Sequence, residues 1–298
     1  MGTQPSPTAQ LVMPRSRQKL KTDFYRVTEL KGGPNNFRDA LRELMRKRGR
    51  NRQTLLRQGR FDLHHCYEKN SIIEGDFGRV RQYDIPDIAL PDATTRAIEL
   101  QTGDGVTERT AFLFDSSTGV LALHARQGGV SASSIAGILD LYAGPPSEFF
   151  EFAIILNPDA RARYQRMTEI DSVAVSYTTE ARSTIAKPDE TTENFLQGLE
   201  RIGGGKIDII IHAPKDVMGL VSSMARQFIG KADTARDRGV NKLRITGKHN
   251  GDRVLAVDLI EDRLRIESTI EVRGTSASYE QRRAVVRQSY ESNRSILG

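Results

Sequence analysis

The sequence predicts an α+β protein, with mixed sheets and covering helices arranged as two domains. Three observations predict this. Short runs that alternate apolar and polar residues, such as "DFYRVTEL" and "RLRIESTIEV", read as strands bounded by turn residues. Two stretches near the ends, "NFRDALRELM" and "SASYEQRRAVVRQSYESNRSIL", carry helical spacing. After "GPP" at 144–146, strand and helix patterns alternate, which suits a sheet covered on at least one face.

Taken in order, residues 1–22 read as a disordered arm with basic residues at Arg15, Arg17, Lys19 and Lys21. "DFYRVTEL" is the first strand. Asn35 or Asn36 caps a helix running to about Arg48, with Phe37, Leu41, Leu44 and Met45 on its inward face. Arg38, Arg42 and Arg46 stack on a different face. "NRQTLLRQGR" reads as a second short helical piece, and "RFDLHHCYEK" and "DFGRVRQYDI" as strands. "RTAFLFDSSTGVLALHAR" is a hairpin, and "VSASSIAGILDLYAG" a helix capped by Ser131.

"GPP" then marks the domain boundary. The strands beyond it are "EFFEFAIILN", "EIDSVAVSYTT" and "KIDIIIHA". The helices are "PDARARYQRM", residues 190–202 and "PKDVMGLVSSMARQFIG". "NKLRITGKHNGDRVLAVDLI" is a hairpin with an Asn-Gly turn. The expected division is therefore an arm at 1–22, a first domain at 23–146 completed by 259–298, and a second domain at 147–258.

Cys66 is the only cysteine among 298 residues, which excludes an intrachain disulfide and fits a reducing cytoplasm. Apolar runs such as "FAIIL" fall far below the ~20 residues of a membrane-spanning helix. "MGTQPS" fits the bare myristoylation pattern, but no other membrane signal accompanies it. The net charge of +6 is unevenly placed. Residues 1–60 hold fifteen Lys or Arg against four acids, and the remainder holds twenty-nine against thirty-four. A cationic front portion points to an acidic partner, nucleic acid before anionic membrane.

Motifs for chemistry are scarce. His64, His65 and Cys66 alternate across a strand, and only His64 and Cys66 share a face. "GGGK" at Gly203 to Lys206 lacks the Ser or Thr of a phosphate loop and precedes a strand. No dinucleotide or nucleophile-elbow motif occurs, and no cofactor is expected. A metal-dependent nuclease would have to draw on Asp208 with Lys215, or on Glu261 and Asp262.

Charge carries the functional reading. Over Arg38 to Arg60, nine basic residues face only Asp39 and Glu43. Seven of them, Arg46, Lys47, Arg48, Arg50, Arg52, Arg57 and Arg60, form the expected phosphate-binding run, and Arg suits bidentate phosphate contact. A second basic concentration spans Arg226 to Arg253, where Lys242, Arg244 and Lys248 share one strand face. Without base-reading motifs, contact with the backbone alone is expected.

The layout of "FYRV", "NFRDALRELM", "AFLFDSSTGVLAL", "KIDIIIHAPKD" and "NGDRVLAVDLIEDRLRIESTIEV" resembles that of the RexA-like family, the DNA-binding components of prophage-encoded exclusion systems. The resemblance covers most of residues 23–298 and implies a cytoplasmic, non-enzymatic homodimer on double-stranded DNA. It further implies one part mobile relative to the other, a RexB-like membrane partner, and a role in abortive infection. It carries no catalytic residues. The alternatives are a nuclease with a basic groove and a scaffold whose basic end touches anionic lipid.

Overall fold

The computed structural model describes residues 15–29, 36–47, 53–56, 59–82, 85, 87–89, 93–101, 104–126, 128–143, 149–178, 206–212, 240–249, 253–274 and 276–297. The fold is mixed α+β. Its larger sheet curls into a half-barrel of eight strands. These are β1 (Arg15–Glu29), β2 (Thr54–Leu56), β3 (Gly59–Lys69), β4 (Ile72–Arg81), β7 (Val106–Asp115), β8 (Val120–Ala125), β9 (Phe150–Ile154) and β14 (Arg265–Arg273). The short pair β5 (Ile88–Ala89) and β6 (Thr95–Arg96) stands apart. The order is β14-β1-β8-β7-β4-β3-β2, with β9 also on β1. Every pairing is antiparallel.

β1 organises this sheet. It pairs with β14 over Arg15 to Asp23, with β8 over Lys21 to Arg26, and with β9 over Tyr25 to Glu29. Its side chains alternate between two cores, as the pleat requires. Phe24 packs with Ala111, Leu113, Val286 and Tyr290, whereas Tyr25 packs with Phe37, Leu121 and Phe152.

Each core lies under helices. On one face sit α1 (Phe37–Arg46) and α2 (Ala132–Ala143). Asn36 caps α1 by accepting from Asp39 N at 2.9 Å, and Phe37, Leu41 and Leu44 are fully buried. Phe37 makes edge-on contacts with Phe114, Phe150 and Phe152 at centroid distances of 4.5, 5.2 and 5.5 Å. Ser131 caps α2 at 3.2 Å from Ser134 N. The terminal helix, here α4 (Tyr279–Leu297), covers the opposite face.

The second sheet runs β11-β10-β12-β13, from β10 (Glu169–Thr178), β11 (Lys206–His212), β12 (Val240–His249) and β13 (Arg253–Asp258). Helix α3 (Pro158–Arg166) packs on β13. The sheet's apolar side, Val173, Val175, Leu243, Ile245 and Val257, belongs to the same cluster as Phe37, Leu41 and Ile135. The two sheets thus share one core.

Several expectations are corrected. Residues from Arg15 to Thr22 are not an arm but part of β1, because Leu20 and Thr22 point into the sheet's buried face. Residues 1–14 lie outside the described residues. The "NRQTLLRQGR" stretch holds β2 and the start of β3 rather than a helix, with Thr54 paired to Phe61. Thr54 is buried and Leu55 exposed, which is strand alternation. The "GPP" boundary falls within one sheet, since β9 pairs with β1 across it. The helices expected at 190–202 and from Pro214 lie outside the described residues.

Candidate nucleic-acid interface

Of the seven residues of the basic run, Arg48, Arg50, Arg52 and Arg57 lie outside the described residues. Arg46 is exposed at the last turn of α1 and pairs with Glu43 at 3.2 Å. Lys47 is the C-cap of α1. Arg60 sits half-buried on β3, opposite Leu55 and Val80, instead of standing on an open face.

The preceding arginines of α1 are engaged by the protein's own carboxylate. Arg38 and Arg42 both grip Glu68 of β3, Arg42 through Nε at 2.8 Å and Nη2 at 2.8 Å. The hydrogen bond from Arg42 holds the Glu68 carboxyl below the usual carboxylate range. Arg38 and Arg42 therefore anchor α1 to the sheet through Glu68, although each keeps about a third of its side chain exposed.

The second predicted cluster fares differently. Lys242 and Arg244 alternate on β12 and line an open groove of about 620 Å³. Both are exposed, and neither makes a hydrogen bond or ion pair among the described residues. Of the three acids along the same groove, two are engaged by neighbours, whereas Glu261 is exposed and makes no side-chain hydrogen bond or ion pair among the described residues, and Asp258 lies across the strand pair from Arg244. Asp258 accepts from Ile260 N at 3.0 Å and Glu261 N at 3.3 Å, closing the turn after β13. Asp262 accepts from Asp258 N at 2.9 Å and pairs with Arg163 at 2.9 Å. Two cations about 6.6 Å apart along the strand are thereby left open to solvent. Lys248, the third predicted member, pairs with Asp171 at 3.5 Å.

A third basic surface escaped the sequence reading. Arg17 and Lys19 of β1 are exposed and make no hydrogen bond or ion pair among the described residues. Lys21 follows on the same side at 3.0 Å from Glu267. The signal was their spacing of two, which turns four scattered cations into a row once the segment is a strand.

Of the residues proposed for metal chemistry, Glu261 is exposed and makes no side-chain hydrogen bond or ion pair among the described residues, and the others are engaged or lie outside those residues. The Ser176 hydroxyl donates to Asp208, Asp262 holds Arg163, and Lys215 lies outside the described residues. Among the described residues no three His, Cys, Asp or Glu side chains gather to hold a metal ion. His64 pairs with Asp62 at 2.8 Å. A bulge between His64 and Tyr67 breaks the alternation that would have put His64 and Cys66 on one face.

The sequence reading also missed a buried charged seam beneath α4. Glu74 is buried and accepts from Arg283 Nε at 2.7 Å, Arg287 Nε at 2.6 Å and the Tyr67 hydroxyl. Asp76 is fully buried and accepts from Arg282 at 2.7 Å. Asp115 accepts from Tyr290 at 2.6 Å, and on the other face of β1 Arg265 of β14 grips Asp23 with two bonds of 2.6 Å. Burial pushes the Asp76 carboxyl up, and pulls His124, buried nearby, down to about 4. The Glu74, Asp76 and Asp115 contacts bolt helix to sheet.

A family model described as a family of unknown function, DUF6731, matches residues 16–294. No curated protein matches the chain.

Proposed function

The chain belongs to the DUF6731 family, and from the geometry above we propose that it is a non-enzymatic protein that binds duplex DNA without sequence preference. The observation that carries this reading is the pair Lys242 and Arg244, exposed and without a hydrogen bond or ion pair among the described residues, on a groove where Asp258 and Asp262 are held by backbone N–H groups and Arg163 and only Glu261 is left open. A solvated cation pair costs nothing to keep. The groove also holds Asp258, Glu261 and Asp262, so the attraction for phosphate rests on the two exposed cations themselves, which no carboxylate engages among the described residues. Arg17 and Lys19 add a second exposed pair on the larger sheet, with Glu271 and Glu267 of β14 beside them. Backbone contact of this kind positions a protein on DNA without reading bases.

The test is a binding series on unrelated duplexes at rising salt. Each phosphate contact contributes about −0.9 to the slope of log affinity against log salt. Lys242→Gln with Arg244→Gln should flatten that slope by roughly 2 for every sequence tried. A flat response in the unsubstituted protein ends the reading.

A cytoplasmic homodimer, and a role in phage exclusion beside a RexB-like membrane protein, complete the proposal on the strength of the RexA-like resemblance. Sedimentation over a concentration series tests the dimer. Phage plating on cells with and without the gene tests the role.

A further inference from the structure

We propose that the open end of the larger sheet carries a stacking platform for one unpaired nucleobase, formed by the His65 ring with Arg109 at its edge. This rests on the DNA-binding reading and narrows it, by placing preference at ends, gaps or forks where a base is free to stack.

The platform is built, not incidental. His65 takes a left-handed backbone, φ +46°, inside the bulge that interrupts β3. A side chain other than glycine held there is strained, and such positions gather where a protein aims a group. The strain is braced from α4. The Tyr279 hydroxyl donates to His65 O at 2.8 Å, and the two rings stack at 4.5 Å with 23° between their planes. Tyr279 backs one side of the imidazole, while His65 remains exposed to solvent.

A cation completes the arrangement. Arg109 Nη1 lies 3.3 Å from His65 Nε2. Arg109 forms no ion pair among the described residues, and Gly78, its partner across the strands, presents no side chain to it. His64 is tied to Asp62, so the histidine pair is not a two-imidazole metal site. A flat ring backed by a second ring, with a guanidinium at its edge that has no ion-pair partner among the described residues, matches a base and its own phosphate. Aromatic faces take any base, which suits binding without sequence preference.

The full-length chain is titrated with two probes, an oligothymidylate carrying an internal 2-aminopurine and a blunt duplex of equal length. The unsubstituted protein should quench the fluorescent base through stacking and hold the single strand. His65→Asn keeps a residue that tolerates positive φ but removes the extended ring. It should abolish quenching and weaken the single strand roughly tenfold, with duplex affinity unchanged. His65→Phe should restore quenching, and Arg109→Gln should weaken the single strand alone. Quenching that survives His65→Asn, or an equal loss on both probes, overturns the platform. Duplex binding with a steep salt slope beside an unquenched base sinks only the platform. Failure of the unsubstituted protein to bind either probe sinks the DNA-binding reading together with it.

Discussion

Replacing Glu74 with Gln tests what holds the terminal helix on the larger sheet. Glu74 has 1% of its side chain exposed, and it faces two guanidiniums, Arg283 and Arg287, at 2.6–2.7 Å. The amide keeps the volume but removes the charge and one acceptor, leaving two cations side by side over a buried position. Removing one partner of a buried ion pair costs ~3–5 kcal/mol. The two arginines keep 30% and 39% exposure, so water recovers part of that loss. The expected loss is therefore at the lower end, about 3 kcal/mol, or roughly 5 °C in Tm for a chain of this size. Urea unfolding followed by circular dichroism measures it. Glu74→Gln should also cost far less in an Arg283→Met, Arg287→Met background, where no cation is stranded. A loss below about 1 kcal/mol, or an undiminished loss in that background, would refute the idea that charge rather than packing seats the helix.

Other outcomes follow from the same structure. His124 titrates at about 4 in the folded chain because burial disfavours its charged form, against 6.5 when exposed. The unfolded chain therefore takes up the proton first, and stability falls as pH drops from 6.5 toward 4, by about 3 kcal/mol at most. His124→Gln should flatten that part of a urea-midpoint series. Asp76 works in the opposite sense: burial raises its carboxyl, so its contribution is complete at low pH and lost as pH rises through the raised value. Asp76→Asn should steepen the acid limb. Phe37→Ala empties the site shared by Phe114, Phe150 and Phe152, and should cost ~3–5 kcal/mol by denaturant unfolding.

Where one face of an element is buried and the other wet, the sequence announced it. Helices α1 and α4, the β7–β8 hairpin and the alternation of Lys242 with Arg244 were all legible from period alone. β1 was misread at its start because its outward residues there are all basic, which imitates a solvated arm. Only Leu20 and Thr22 betray an inward face. The arginines of α1 looked free because their partner, Glu68, lies 26 and 30 residues away on a strand. The seam under α4 was unreadable for the same reason, since its pairs span 175 to 213 residues. Charge density can be counted along a chain. Which charges cancel depends on folding, and that decided which basic residues remain open.

β1 lies inside the larger sheet, flanked by β8 on one side and by β14 and β9 on the other. During synthesis its first half therefore waits for a neighbour that leaves the ribosome some 240 residues later, counting from Asp23 to Arg265. Until then a long, partly apolar backbone edge is open to other nascent chains. Such distant closure makes for slow maturation. A product cut short before Arg265 would carry its amphipathic front strand unclosed, so premature termination should yield insoluble fragments instead of a smaller working protein.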